Sequence, residues 1–375
     1  MIKQNISRNL RNITGWRTKR RIVVFESDDW GSIRMPSMDS FTRLKKLGVD
    51  LESFDYAIWN LNDTLASRKD LELLFELLAS HNDKNYNPCI FTAITAVANP
   101  DFTKIRNNGF LKYFYEPFTE TLKKYYPNEN VFGIWKEGLD KKVFFPQFHG
   151  REHLNVSAWL KALRAGQKNA SLAFDECLWC YVPDNKDKLK ITNQAAFQLT
   201  DMADLSEHKK ILTEGLDLFR TLFGYHARYF VPPNGVINNT LNNTISKKGI
   251  EIRSTSKIQY ESTGPGKTRK VIHWLGQKDV SGIRYIIRNC VFEPSDPCKD
   301  WVDSCLADIQ TAFRWNKPAI ISSHRVNYIG THNTNNRDNS LLKLQILLKS
   351  IKQKWPDIEF MSTDKLGTIM QESKK

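Results

Sequence analysis

Residues 21–30, RIVVFESDDW, decide how the rest of the chain is read. Ile22, Val23, Val24 and Phe25 form an unbroken apolar run, which marks a strand buried on both faces. Two adjacent carboxylates, Asp28 and Asp29, stand where that strand ends. Working outward, the same punctuation returns. The stretches PCIFTAITAV (88–97), KVFFPQF (142–148), ARYFVPP (227–233), IEIRST (250–255), RYIIRNCVF (284–292), PAIISS (318–323) and IEFMS (358–362) read as strands. Between them lie helical patterns: DLELLFELLASH (70–81), a helix capped by Asn155, LSEHKKILTEGLDLFRTLFG (205–224) closed by Gly224, TLNNTISKKG (240–249), a helix with Asp300 near its start, SLLKLQILLKSIKQKW (340–355) and TDKLGTIM (363–370). Residues 259–282 read as a polar loop or hairpin. Residues 101–142 read as aromatic-rich helical pieces inserted over one face. About eight strands alternating with helices argue for parallel β/α winding, as a barrel or an open sheet. Neither GxGxxG nor GxxxxGK[ST] follows the first strand, which argues against nucleotide-binding sheets.

The composition bounds the class. The 375 residues are 41% apolar, with 21 Phe, 12 Tyr and 10 Trp, enough for a sizeable core and too much for wholesale disorder. No stretch approaches the ~20 apolar residues of a membrane-spanning helix. The net charge is +14. Lys3, Arg8, Arg11, Arg17, Lys19, Arg20 and Arg21 supply +7 of it with no acid among them. That segment lacks the apolar core and cleavage site of a secretory signal, so a cytoplasmic protein is expected. Ile2, Ile6, Leu10, Ile13 and Trp16 recur at helical spacing. Residues 1–20 are therefore a basic amphipathic segment. It either docks on an anionic membrane or acidic partner, or packs its stripe on the domain formed by residues 21–375. No helix-turn-helix, RNP, zinc-finger or OB signature is present, so nucleic acid is not an expected partner. The six cysteines are expected to be reduced, buried thiols; the lone pair Cys177 and Cys180 lacks the second CxxC of a zinc knuckle.

Reactive side chains gather just after strands: Asp28 and Asp29, His149, Asn234 and His324. In a β/α barrel these points share the C-terminal face, where active sites are built. His149 and His153 are four apart, so on a helix they would share a face and could hold one metal. Glu152 directly precedes the second histidine, which is not the HExxH order. Adjacent carboxylates can split roles, one ligating a cation while the other acts as a base. One Asp and two His form a facial set with positions left for water and substrate. His324, in ISSHRVNY, can serve as a general acid.

The ordered segments SDDW (27–30), HGREH (149–153), VPPNG (231–235), DPCKDW (296–301) and SSHRV (322–326) resemble the motif series of the NodB-homology polysaccharide deacetylases, carbohydrate esterase family 4. The resemblance runs from about residue 22 to 325. It implies a distorted (β/α)7-type barrel and a divalent metal, usually zinc. It also implies removal of acetyl groups from N-acetylated sugars, with some relatives cleaving other C–N bonds. By position, Asp28 resembles the general base, and Asp29, His149 and His153 the metal ligands. Asn234 stands where a backbone N–H meets the oxyanion, and His324 resembles the acid. Asp300 and Trp301 match the motif that orients this histidine and walls the groove; Trp30 and Trp301 either stack on sugar rings or pack in the core. Three departures stand out. Gly150 replaces a Ser or Thr, Trp30 replaces a Gly, and Val231 replaces the arginine that pairs with the base. Arg228 is the nearest arginine to that place. The expected partner is an N-acetylated glycan or a nucleotide-linked or lipid-linked precursor. The alternatives are a small-metabolite amide and an inactive glycan-binding barrel.

Overall fold

The computed structural model describes residues 2–53, 56–182 and 192–373, with side chains from residue 5 onward. Its strands are β1 (Ile22–Trp30), β2 (Phe91–Ala96), β3 (Ala98–Pro100), β4 (Tyr115–Pro117), β5 (Phe144–Gly150), β6 (Tyr229–Phe230), β7 (Ile252–Ser254), β8 (Ile258–Gly264), β9 (Lys267–Ile272), β10 (Arg284–Ile286), β11 (Cys290–Val291), β12 (Ala319–His324) and β13 (Glu359–Phe360). Nine of them build one sheet in the order β10-β7-β6-β5-β2-β1-β12-β11, with β13 beside the start of β1. Every pairing in it is parallel. Parallel neighbours need crossovers, and helices supply them, covering the sheet and leaving β1 buried along its whole length.

The order of strands shows how the sheet bends. β10 and β11 lie at opposite ends of it, yet only Ile287, Arg288 and Asn289 separate them in the chain. The sheet therefore curls into a half-barrel until its two edges meet across a three-residue strap. RYIIRNCVF, expected as one strand, is two short strands and this strap, because one strand cannot stay in register with both edges. Asn289 fastens the strap. Its amide donates to Pro318 O at 2.9 Å and to Asn12 Oδ1 at 2.8 Å, and its carbonyl oxygen accepts from Ile320 N at 2.8 Å.

The main core lies between the sheet and helices Arg68–Ala79, Val131–Asp140, Trp301–Arg314 and Thr334–Lys354. Phe118, Ile134 and Trp135 belong to it, so much of 101–142 is core crossover between β2 and β5 and not an added cover. Both tryptophans read for a sugar groove or a core are in this core. Trp30 meets Phe144 edge-on at 4.8 Å, and its indole donates to Ser27 Oγ at 2.9 Å. Trp301 donates to Asp296 O at 2.6 Å. Burying such rings is worth more than ~1.5–3 kcal/mol each, which explains why both turn inward. Cys298 is exposed and Cys177 half-buried, so the expectation of six buried thiols holds for the other four.

Helix Ile2–Asn12 rests on the body through its polar side: Arg8 Nε pairs with Asp308 Oδ1 at 2.6 Å, and Asn12 is buried. Among the described residues, no helix is long and apolar enough to cross a membrane.

Candidate active site

The end of β1 is irregular, and the irregularity makes the site. In a regular strand Asp28 and Asp29 would point to opposite faces. Here the register with β2 shifts between Ser27 and Trp30, and Asp29 is left-handed at φ 73°. The bulge leaves both carboxylates at the mouth of the barrel. Gly31 follows at φ 80°, where a Cβ would lie 2.2 Å from Ala96 O, so only glycine fits the exit of the turn.

Asp29 faces two imidazoles. Its Oδ1 lies 3.2 Å from Nε2 of His149 and 3.2 Å from Nε2 of His153. The two histidines are not on a helix, as the spacing suggested. His149 is in β5, the chain swings through Gly150 at φ 131°, and His153 returns from the following loop. This conformation accounts for glycine in place of Ser or Thr, since it strains any other residue. His149 Nδ1 sits 2.7 Å from the carbonyl oxygen of Val231, so that nitrogen carries the proton. Its Nε2 is then the ring nitrogen turned toward the carboxylate oxygen. Burial, working against the pull of Asp29, takes the pKa of His153 down to about 4, which keeps its ring neutral. Two ring acceptors and a carboxylate, their ligand atoms all within 4.8 Å of one another, fit a divalent transition metal. Arg34 completes the setting: Nη2 donates to Asp29 Oδ2 at 3.0 Å, while Nε pairs with Asp63 at 3.1 Å. Burial raises the Asp29 pKa, but the Arg34 guanidinium beside it overcomes this and holds the carboxyl well below its usual range.

Asp28 faces the other way. Arg288, on the strap, grips it with two nitrogens at 2.6 and 2.7 Å and also bonds Glu26 beneath. The arginine missing at Val231 is thus supplied from the far edge of the sheet. Burial works against ionisation of Asp28, and Arg288 outweighs it, lowering the pKa. Arg228 is not part of the site. It pairs with Glu251 at 2.7 Å and reaches Thr368 instead.

The β1–β12 register sets Asp28 directly opposite His324. His324 Nε2 lies 3.9 Å from Asp28 Oδ2, and Nδ1 is 2.7 Å from Glu293 Oε1. Desolvation lowers the pKa of this ring, but Glu293 and then Asp28 raise it further, to about 9. Glu293 therefore takes the orienting place expected of Asp300. Asp300 is an exposed helix cap that accepts from Asp303 N at 3.0 Å. All of this opens on one cavity of about 680 Å³, lined also by Tyr56, Trp59, Asn234, Ser254 and Lys257. Asn234, at φ 53°, stands exposed on its rim.

Arg34, Arg288 and Glu293 escaped the sequence reading. Glu293 had a usable signal, since it follows β11 as His324 ends β12. Arg288 had a weaker one, a cation inside an apolar run.

No family model matches the chain, and no curated protein matches its sequence. Among solved structures it is similar to a putative polysaccharide deacetylase from Mycobacterium smegmatis, at 11% identity and TM-score 0.45, covering 96% of this chain and 94% of that one. It is similar to a probable polysaccharide deacetylase from Pseudomonas aeruginosa PAO1 at 8% identity and TM-score 0.45, over 93% and 91%. It is also similar to the Puue allantoinase at 10% identity and TM-score 0.41, over 94% and 91%. Likenesses this distant transfer no chemistry, so the chemistry is argued from the site's own residues.

Proposed function

We propose that the protein is a metal-dependent hydrolase that removes an acetyl group from an N-acetylated sugar, glycan or glycan precursor. The observation that supports this is the two-sided mouth. Asp29, His149 and His153 converge on one side. Asp28 with Arg288, and His324 with Glu293, stand on the other. A divalent metal held by the first three, zinc by preference for this donor set, would polarise the acyl carbonyl and acidify water. Asp28, kept ionised by Arg288, takes the proton of the attacking water. His324 delivers a proton from Nε2 to the leaving amine, while Glu293 holds the Nδ1–H and fixes the tautomer. The backbone N–H at Asn234, on the rim, would donate to the developing oxyanion. Tyr56 and Trp59 offer ring faces to the substrate.

A small-metabolite amide was favoured by the absent arginine, and Arg288 removes that motive. An inactive binding barrel would not need a buried base–arginine pair beside a histidine–glutamate pair. The test is elemental analysis of untagged protein prepared without chelators, beside His149→Ala, with acetate release measured on N-acetylated sugars. The expected result is about one transition metal per chain, lost in the variant together with acetate release. Equal absence of metal from both proteins, even after added zinc, would overturn the reading.

A further inference from the structure

Two elements beside the mouth are folded with their polar sides inward. In helix Ile2–Asn12, Arg8 and Asn12 face the body, bonded to Asp308, Ser304 and Asn289. Ile6 and Leu10, on the opposite side, face outward, Leu10 at 52% exposure, and Ile13 just past the helix end is exposed too. The hairpin β8–β9 repeats the inversion. Gln259 and Glu261 are buried, the first bonded to His273 at 2.8 Å and the second to Asn239 N at 2.9 Å. The outward face carries Ile258 opposite Ile272 and Tyr260 opposite Lys270, and Trp274 continues the parity. Tyr260 is 62% and Ile272 59% exposed. Single exposed apolar side chains are ordinary, but seven on or just beyond two inverted, neighbouring elements are not. The chain beside each element joins them: Lys257, just before β8, bonds Leu10 O, and Trp16 N, past the helix, donates to Leu275 O at 2.7 Å, past the hairpin.

Charge says what covers this face. Among the described side chains of residues 5–20 there is no acid, and the one acid between 256 and 274, Glu261, is buried and paired with Arg269. Arg11 and Arg17 belong to the first of these two stretches of chain, and Lys257, Lys267 and Lys270 to the second. Arg11 and Lys257 also line the active-site cavity, so the face borders its mouth. An apolar ridge set in cations matches the boundary between anionic headgroups and acyl chains.

We propose that this face docks on an anionic bilayer and sets the mouth against the headgroups. Resting on the hydrolase reading above, the substrate class then narrows to an acetamido sugar carried on a membrane lipid. The test is flotation of the full chain, without substrate, on vesicles of phosphatidylcholine alone or mixed with phosphatidylglycerol. Binding is expected on the mixed vesicles and is expected to weaken with salt. Leu10→Asp and, separately, Ile272→Asp should each reduce it at least ~10-fold. Ile346→Asp, on an outer helix, should leave it unchanged. The substituted residues are exposed, and unchanged thermal melts will show that the fold is kept. Three results would overturn the proposal: no flotation with either vesicle, equal flotation of wild type and both variants, or a solution dimer that these variants dissociate. Metal content and acetate release from a soluble N-acetylated sugar are read separately. The docking variants leave both unchanged, so either reading can fail without the other.

Discussion

The ring of His324 lies between two carboxylates, and in the proposed reaction its proton decides whether an amine can leave. Crowding by protein favours the neutral ring; Glu293 first and Asp28 second favour the charged one and win, placing the pKa at about 9. The acid form is therefore present below that value, and kcat/KM is expected to fall as pH rises through it. Glu293→Gln removes the largest raising influence while preserving the ring's hydrogen-bond acceptor. Its alkaline limb should move down toward the ordinary imidazole value near 6.5. A pH–rate profile of the two proteins checks this; superimposable alkaline limbs would remove Glu293 from the mechanism. At this scale the sequence was half legible. Asp28, Asp29, His149, His153 and His324 stand in short motifs at strand ends, where position alone signals exposure to the barrel mouth. Arg288 belongs to no such motif, because its meaning is a contact with Asp28 260 residues away. Trp30 could be read either way, because an aromatic at a strand end serves a groove or a core equally well in sequence, and only neighbours such as Phe144 decide.

At the scale of elements, long periodic runs were legible and closure was not. β1, β2, β5 and β12 are apolar runs that only a covered parallel sheet can bury. β10 and β11 are three and two residues long, too short for periodicity to separate them from the strap. The strap also predicts where the barrel is weak. Asn289 is buried and satisfies groups on two other segments, at Asn12 and at Pro318 with Ile320. Asn289→Ala would orphan the N–H of Ile320 and two carbonyl oxygens, at a cost of about 2–3 kcal/mol. Denaturant titration should show a lowered midpoint with an unchanged slope. A loss below about 0.5 kcal/mol would mean that the edges are held by something else.

At the scale of the whole molecule, the site gathers residues from both edges and the centre of the sheet, so a ligand bound there braces the entire barrel. A metal that binds only the folded chain adds roughly 2.7 kcal/mol at a free concentration a hundredfold above Kd. Chelation is expected to lower Tm by several degrees and zinc to restore it. His149→Ala should melt at the same temperature with and without zinc, and differential scanning calorimetry reads all four conditions. A metal response that survives in the variant would place the ion elsewhere.

The strap has one more consequence, in time. The partner of Asp28 is Arg288, and Glu26 beneath it also awaits Thr363. A growing or refolding chain can shape β1, β2 and β5 early, yet its base has no countercharge until sequence-distant edges have been brought together. Contacts of such span form late. On the proposed mechanism a half-finished chain is therefore chemically silent, and the onset of turnover would mark the moment the edges of the sheet are joined.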